Sequence, residues 1–119
     1  MDKLDTIFAM QQRLNEDIIA RRGLEGISDT VWIQRQTLAM ISEMAELLEE
    51  VNFKWWKNPK PIDKDAVREE LVDILHFFVS MCLDAGMDAD EMYTMYLDKN
   101  HENFKRQDGT SDKAGYELL

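Results

Sequence analysis

Glu70-Leu71-Val72-Asp73-Ile74-Leu75-His76-Phe77-Phe78-Val79-Ser80-Met81-Cys82-Leu83 is the stretch that decides the fold. Only Asp73, His76 and Ser80 interrupt the apolar run from 71 to 83, which is too long for a strand and predicts a buried helix. A helix that is apolar nearly all round must be covered nearly all round. Asp63 or Lys64 opens it, because Pro59 and Pro61 forbid helix just upstream. Gly86 stands where a C-terminal cap is expected.

Three more helices follow from spacing and caps. Leu4, Ile7, Leu14 and Ile18 predict a first helix from about 2 to 22, stopped near Gly23. Ser28 or Asp29 caps a second helix, which carries Val31, Leu38, Ile41, Ala45 and Leu48 on one face and ends around Val51. The connector after it is aromatic and basic: Phe53-Lys54-Trp55-Trp56-Lys57-Asn58-Pro59-Lys60-Pro61. A fourth helix runs from near Asp88 to about Gln107, and the polar tail from 108 to 119 is expected to be mobile or to close over something.

With 119 residues, five glycines, two prolines and eight methionines, the chain has room for one all-α domain over 1–107. The expected architecture is a four- to five-helix bundle. Short links favour an antiparallel bundle. The excess apolar surface of the third helix is most economically covered by a second copy, giving an intertwined homodimer.

A net charge of −10 argues against a protein that tracks a nucleic-acid backbone, which needs clustered Lys and Arg. No stretch approaches the length of a membrane span, and Cys82 has no disulfide partner, so a soluble cytoplasmic protein is expected. Cys82 itself reads as a small buried hydrophobe.

Glu70, Asp73, Phe77 and Ser80 recur at helical spacing along one strip. Buried acids without a cationic partner on the same strip are costly unless protonated or bound to metal. On the second helix Glu43 and Glu46 share a face, so four carboxylates from two helices can converge. Such a set suits a hard cation such as magnesium, which takes oxygen ligands and keeps waters. His76 is expected to be a hydrogen-bonded core residue.

Glu43-Met44-Ala45-Glu46 followed by Glu70-Leu71-Val72-Asp73 resembles the metal motif of the all-α nucleotide pyrophosphohydrolases, which include MazG-like enzymes and dimeric dUTPases. Gln12-Arg13-Leu14-Asn15, Phe53-Lys54-Trp55-Trp56-Lys57 and the segment from Tyr96 to Gln107 are similar to the dimeric dUTPases in particular. The resemblance spans about 8 to 107. It implies magnesium-dependent hydrolysis of dUTP, and of dUDP as well, with Mn2+ able to substitute. By the same resemblance Glu43, Glu46, Glu70 and Asp73 are catalytic metal ligands, and Lys99, Asn103 and Arg106 hold phosphate oxygens. Gln12, Asn15, Phe77 and Trp56 form the base pocket, with Asn100 at the sugar.

The chain departs from the family pattern by passing directly from Gly86 to Asp88, where many dimeric dUTPases carry an inserted segment. The tail motif is also altered, and Tyr116 is assigned no role. Three other readings compete with dUTP hydrolysis. One is a MazG-like enzyme for another nucleotide. The second is a di-iron bundle built on Asp73-x-x-His76 and Asp98-x-x-His101. The third is a non-enzymatic helical interaction module.

Overall fold

The computed structural model describes residues 1–113 and 115. The part of the expected closing tail at 114 and 116–119, with Tyr116, lies outside the described residues. The protein is all-α, with helices α1 (Lys3–Arg22), α2 (Asp29–Glu50), α3 (Lys64–Asp84) and α4 (Ala89–Asp108). They group into two compact units, one from Met1 to Gly86 and one from Met87 onward.

The predicted boundaries are made by local chemistry. Asp2 and Asp5 form a capping box at the start of α1, with Asp5 N–H donating to Asp2 Oδ1 at 2.9 Å. Gly23 closes the helix at φ 63°, a left-handed geometry that a side chain would strain. Ser28 caps α2, Asp63 caps α3, and Asp88 accepts from Glu91 N–H at 2.8 Å to cap α4.

In the first unit α2 packs along α3, and α1 against α3. Thr37 near the start of α2 meets Met81 near the end of α3, so that pair is antiparallel. The core holds Phe8, Val79 and Cys82. Burial pushes the Cys82 thiol up from its ordinary value, as expected of a small buried hydrophobe.

Which helix faces are covered differs from the expectation. On α1 the covered row is Leu4, Phe8, Gln11, Asn15 and Ile19, while Ile7, Leu14 and Ile18 are exposed. On α2 it is Ile33, Gln36, Met40, Glu43, Leu47 and Glu50, while Leu38, Ile41 and Leu48 lie open. In both helices the buried row mixes polar with apolar residues, which masks it in a hydrophobic-periodicity reading.

The connector between α2 and α3 is pinned by Asn52, which takes φ 57°, a conformation asparagine tolerates. Its side chain donates to the Lys60 carbonyl at 2.8 Å and accepts from Lys60 N–H at 2.9 Å. That clamp holds the loop carrying Trp55 and Trp56.

The second unit is built on α4. Gly109 ends the helix at φ 80°, and Thr110 N–H bonds back to the Lys105 carbonyl at 2.9 Å. Ser111 then donates to Glu102, which holds the Glu102 carboxyl below its ordinary value. Among the described residues no helix is long and apolar enough to cross a membrane.

Candidate active site

The covered rows of α2 and α3 bring Glu43 and Glu70 face to face, with Glu46 one turn along α2 at the edge. One carboxylate oxygen from each of the three lies within 4.8 Å of the others. Glu43 and Glu70 are half-buried, and one oxygen of each has no hydrogen-bond partner. A proton shared with Glu43, then loss of water and the charges of Glu46 and Glu43, push the Glu70 carboxyl up to about 7.

Neighbouring acids behave differently. Glu49 pairs with Lys54 Nζ at 2.8 Å, which lowers its carboxyl from the ordinary range. The crowding therefore belongs to Glu43, Glu46 and Glu70, and is not a general property of an acidic helix. Their chemistry fits magnesium: all ligand atoms are hard oxygens, buried lone pairs lack donors, and like charges need a cation between them. Among the described residues this is the one such cluster, and it contains no imidazole, so the di-iron arrangement finds no support.

Asp73 does not join the cluster. It falls off the covered row Val67, Glu70, Ile74, Phe77, Met81 and Asp84, and its side chain is exposed. The expected single strip from Glu70 through Asp73 to Ser80 is therefore divided. His76 is also exposed, which corrects its assignment to the core; its Nδ1 lies 2.9 Å from the Val72 carbonyl.

Ten residues beyond Glu70 the same helix carries a second polar station. Gln11 Nε2 donates to Asn15 Oδ1 at 2.9 Å, Asn15 Nδ2 to Ser80 Oγ at 3.0 Å, and Ser80 Oγ to the His76 carbonyl at 2.8 Å. Gln11 and Ser80 are buried, whereas Gln12 is exposed. The amide beside Asn15 is thus Gln11, four residues away on the same face, a spacing that Phe8 and Asn15 on either side could have revealed.

Phe77 is half-buried on the covered face of α3. Trp56 is exposed and meets Trp55 edge-on at 4.7 Å and Phe53 at 6.3 Å. In the second unit Lys99 and Asn103 follow at helical spacing with Arg106, which is half-buried; Lys99, Asn100 and Asn103 are exposed.

Residues 3–88, which contain the carboxylates and the Asn15 station, match the family described as dUTPase. The chain belongs to this dUTPase family. The match confirms the resemblance carried by the paired carboxylate motifs. Over 88 residues this dUTPase-family chain is 34% identical to a dCTP pyrophosphatase of Enterobacteria phage T4, covering 62% of the chain and 52% of that protein. It is 39% identical over 59 residues to a dCTP pyrophosphatase of Enterobacteria phage LZ5, covering 50% of the chain and 34% of that protein. A DNA replication protein of phage T4 is 31% identical over 80 residues, 56% of the chain and 20% of that protein. The chain thus spans about half, or less, of the length of the curated relatives it matches. No solved structure gives a significant match.

Proposed function

We propose that the protein is a magnesium-dependent pyrophosphohydrolase of a pyrimidine deoxynucleoside triphosphate, releasing the monophosphate and pyrophosphate. The observation that carries the reading is the meeting of Glu43, Glu46 and Glu70, with buried unpartnered oxygens on Glu43 and Glu70. The family is described by dUTP and two relatives by dCTP, so a pyrimidine base is the shared element. Within that class dUTP is a substrate by the family's description, and dUDP is also accepted.

Glu43, Glu46 and Glu70 would hold the cation, and Asp73, exposed and outside the cluster, would join them as a fourth ligand only by turning toward it. Magnesium held there would neutralise charge at the phosphates and lower the pKa of the attacking water. Water would add to the α- or β-phosphorus, the phosphorus–oxygen bond that joins monophosphate to pyrophosphate would break, and the water's proton would pass to a carboxylate of the cluster. Lys99, Asn103 and Arg106 hold phosphate oxygens through charged and amide donors. Asn15, braced by Gln11 and Ser80, reads the polar edge of the base, and Phe77 stacks on its ring. Gln12, Trp56 and Asn100 approach the nucleotide from exposed positions.

The apolar residues left open on α2 and α3, among them Leu38, Ile41, Leu71 and Val72, support a homodimer in which a second copy covers them. The test is a panel of nucleoside triphosphates with magnesium, scored for pyrophosphate. Release from dUTP that stops in excess chelator is expected. Full activity in chelator, or no hydrolysis of any nucleotide, overturns the proposal.

A further inference from the structure

Beyond the Asn15 station the first unit holds a recess lined by Asn15, Ile18, Ile19, Trp32, Gln36 and Asp84, with a volume of about 60 Å³. By the liquid share of roughly 30 Å³ per water, that is room for two waters, or for the substituted edge of a ring but not a whole base. Asp84 lines this recess, and its Oδ2 is buried with no hydrogen-bond partner. Loss of water, then the charge of Asp29, push its carboxyl up from its ordinary value, as happens to an acid short of donors.

The recess shares its helix faces with the carboxylate cluster. Gln36 precedes Glu43 by two turns on the covered row of α2, and Asp84 follows Glu70 by four turns on that of α3. Helical rise puts Gln36 about 10 Å along α2 from Glu43 and Asp84 about 20 Å along α3 from Glu70, so a nucleoside triphosphate whose phosphates sit at the cluster reaches the recess from its Gln36 side when extended. Trp32 offers an apolar flank, and the amides of Asn15 and Gln36 can donate and accept.

We infer that Asp84 is a specificity-determining residue whose carboxylate accepts a hydrogen bond from the exocyclic amine of cytosine, so that the enzyme takes dCTP at least as well as dUTP. Cytosine presents an amine donor at the ring position where uracil presents a carbonyl acceptor. A carboxylate satisfies the first and repels the second. A carboxamide in the same place can turn either its oxygen or its amine to the base, so Asp84→Asn removes the discrimination without emptying the recess.

This inference rests on the proposed pyrophosphohydrolase activity, and the experiment separates the two. Steady-state kcat/KM is measured for dCTP and dUTP with magnesium, in the parent, Asp84→Asn and Asp84→Ala. The expected result is a fall of tenfold or more in the dCTP to dUTP ratio in both variants, with dUTP turnover retained within a few-fold. Equal ratios in parent and variants, or a parent that strongly prefers dUTP, overturn the role of Asp84 while leaving the activity standing. A parent that hydrolyses neither nucleotide removes the activity and the assignment with it. Should one variant fold poorly, the ratio in the other decides, because a ratio is insensitive to the fraction of active enzyme.

Discussion

Two polar stations on α3, ten residues apart, solve opposite problems. At Ser80, 1% exposed, a chain from Gln11 through Asn15 to the His76 carbonyl joins the buried side chains by hydrogen bonds. At Glu70, carboxylates crowd together and buried oxygens go without partners. Polar groups that are paired stabilise a fold and fix side-chain orientation, whereas like charges held together weaken it. The Ser80 station is therefore a brace, and the Glu70 station carries a stability cost that the proposed cation would offset.

The largest expected effect comes from breaking the charged station. Glu70→Gln keeps shape and polarity but removes a negative ligand. Hydrolysis should fall on the order of 10³-fold or more, because the stabilisation lost with a cation at a phosphoryl centre is several kcal/mol. The metal-free variant should nevertheless melt higher than the parent. Magnesium should raise the melting temperature of the parent and do so much less for the variant. A calorimetric scan in chelator and in magnesium checks both signs. A Glu70→Gln protein that melts lower in chelator would make Glu70 structural.

Ser80→Ala breaks the other station and should show the reverse pattern. The hydroxyl is lost and the partly buried Asn15 amide loses its acceptor, a cost of about 1–3 kcal/mol in unfolding free energy. Urea denaturation reads that loss directly. Activity should drop mainly through KM, since Asn15 is misplaced rather than removed. Unchanged stability would mean that the chain of bonds is incidental and that Asn15 is held by its helix alone.

The sequence carries the four helices, their caps and the carboxylate pairs openly, since each depends on local chemistry: Asp2, Ser28, Asp63 and Asp88 cap where they stand. What it conceals is which face of each helix turns inward. Gln11, Asn15, Gln36 and Glu43 occupy covered rows that are only half apolar, while Ile7, Leu14, Leu38 and Ile41 form cleaner apolar rows that stay open in the protomer. Periodicity detects the cleanest stripe, and in a protein expected to pair with itself that stripe need not face its own core. The same ambiguity sets Asp73 on one strip with Glu70, although a turn of 3.6 residues carries it off the covered row. Gln12 and Gln11 are hard to separate for a related reason, because two adjacent amides differ only in which face they choose.

The smallest effect, and the sharpest way to tell the stations apart, is the pH dependence of stability without metal. Glu70 has an ordinary value of 4.5 and is pushed up to about 7 in the folded protein. Below 4.5 it is protonated whether folded or unfolded. Between about 4.5 and 7 the folded protein keeps a proton that the unfolded chain releases, so stability falls as pH rises through that window. The contribution is complete below 4.5 and lost above about 7. Asp84, raised from 3.8 mainly by loss of water, acts with the same sign, and the lowered carboxyls of Glu49 and Glu102 act with the opposite sign at acid pH. Subtracting the Glu70→Gln melting curve from that of the parent, between about pH 5 and 8 in chelator, isolates the cluster. The parent should lose melting temperature relative to the variant across that range, and Ser80→Ala should run parallel to the parent because its station does not titrate. Saturating magnesium should reverse the slope, since the cation competes with the shared proton and binds better as it leaves. A flat difference curve would mean that Glu70 ionises like an isolated surface acid, and the contrast between a strained station and a braced one would collapse.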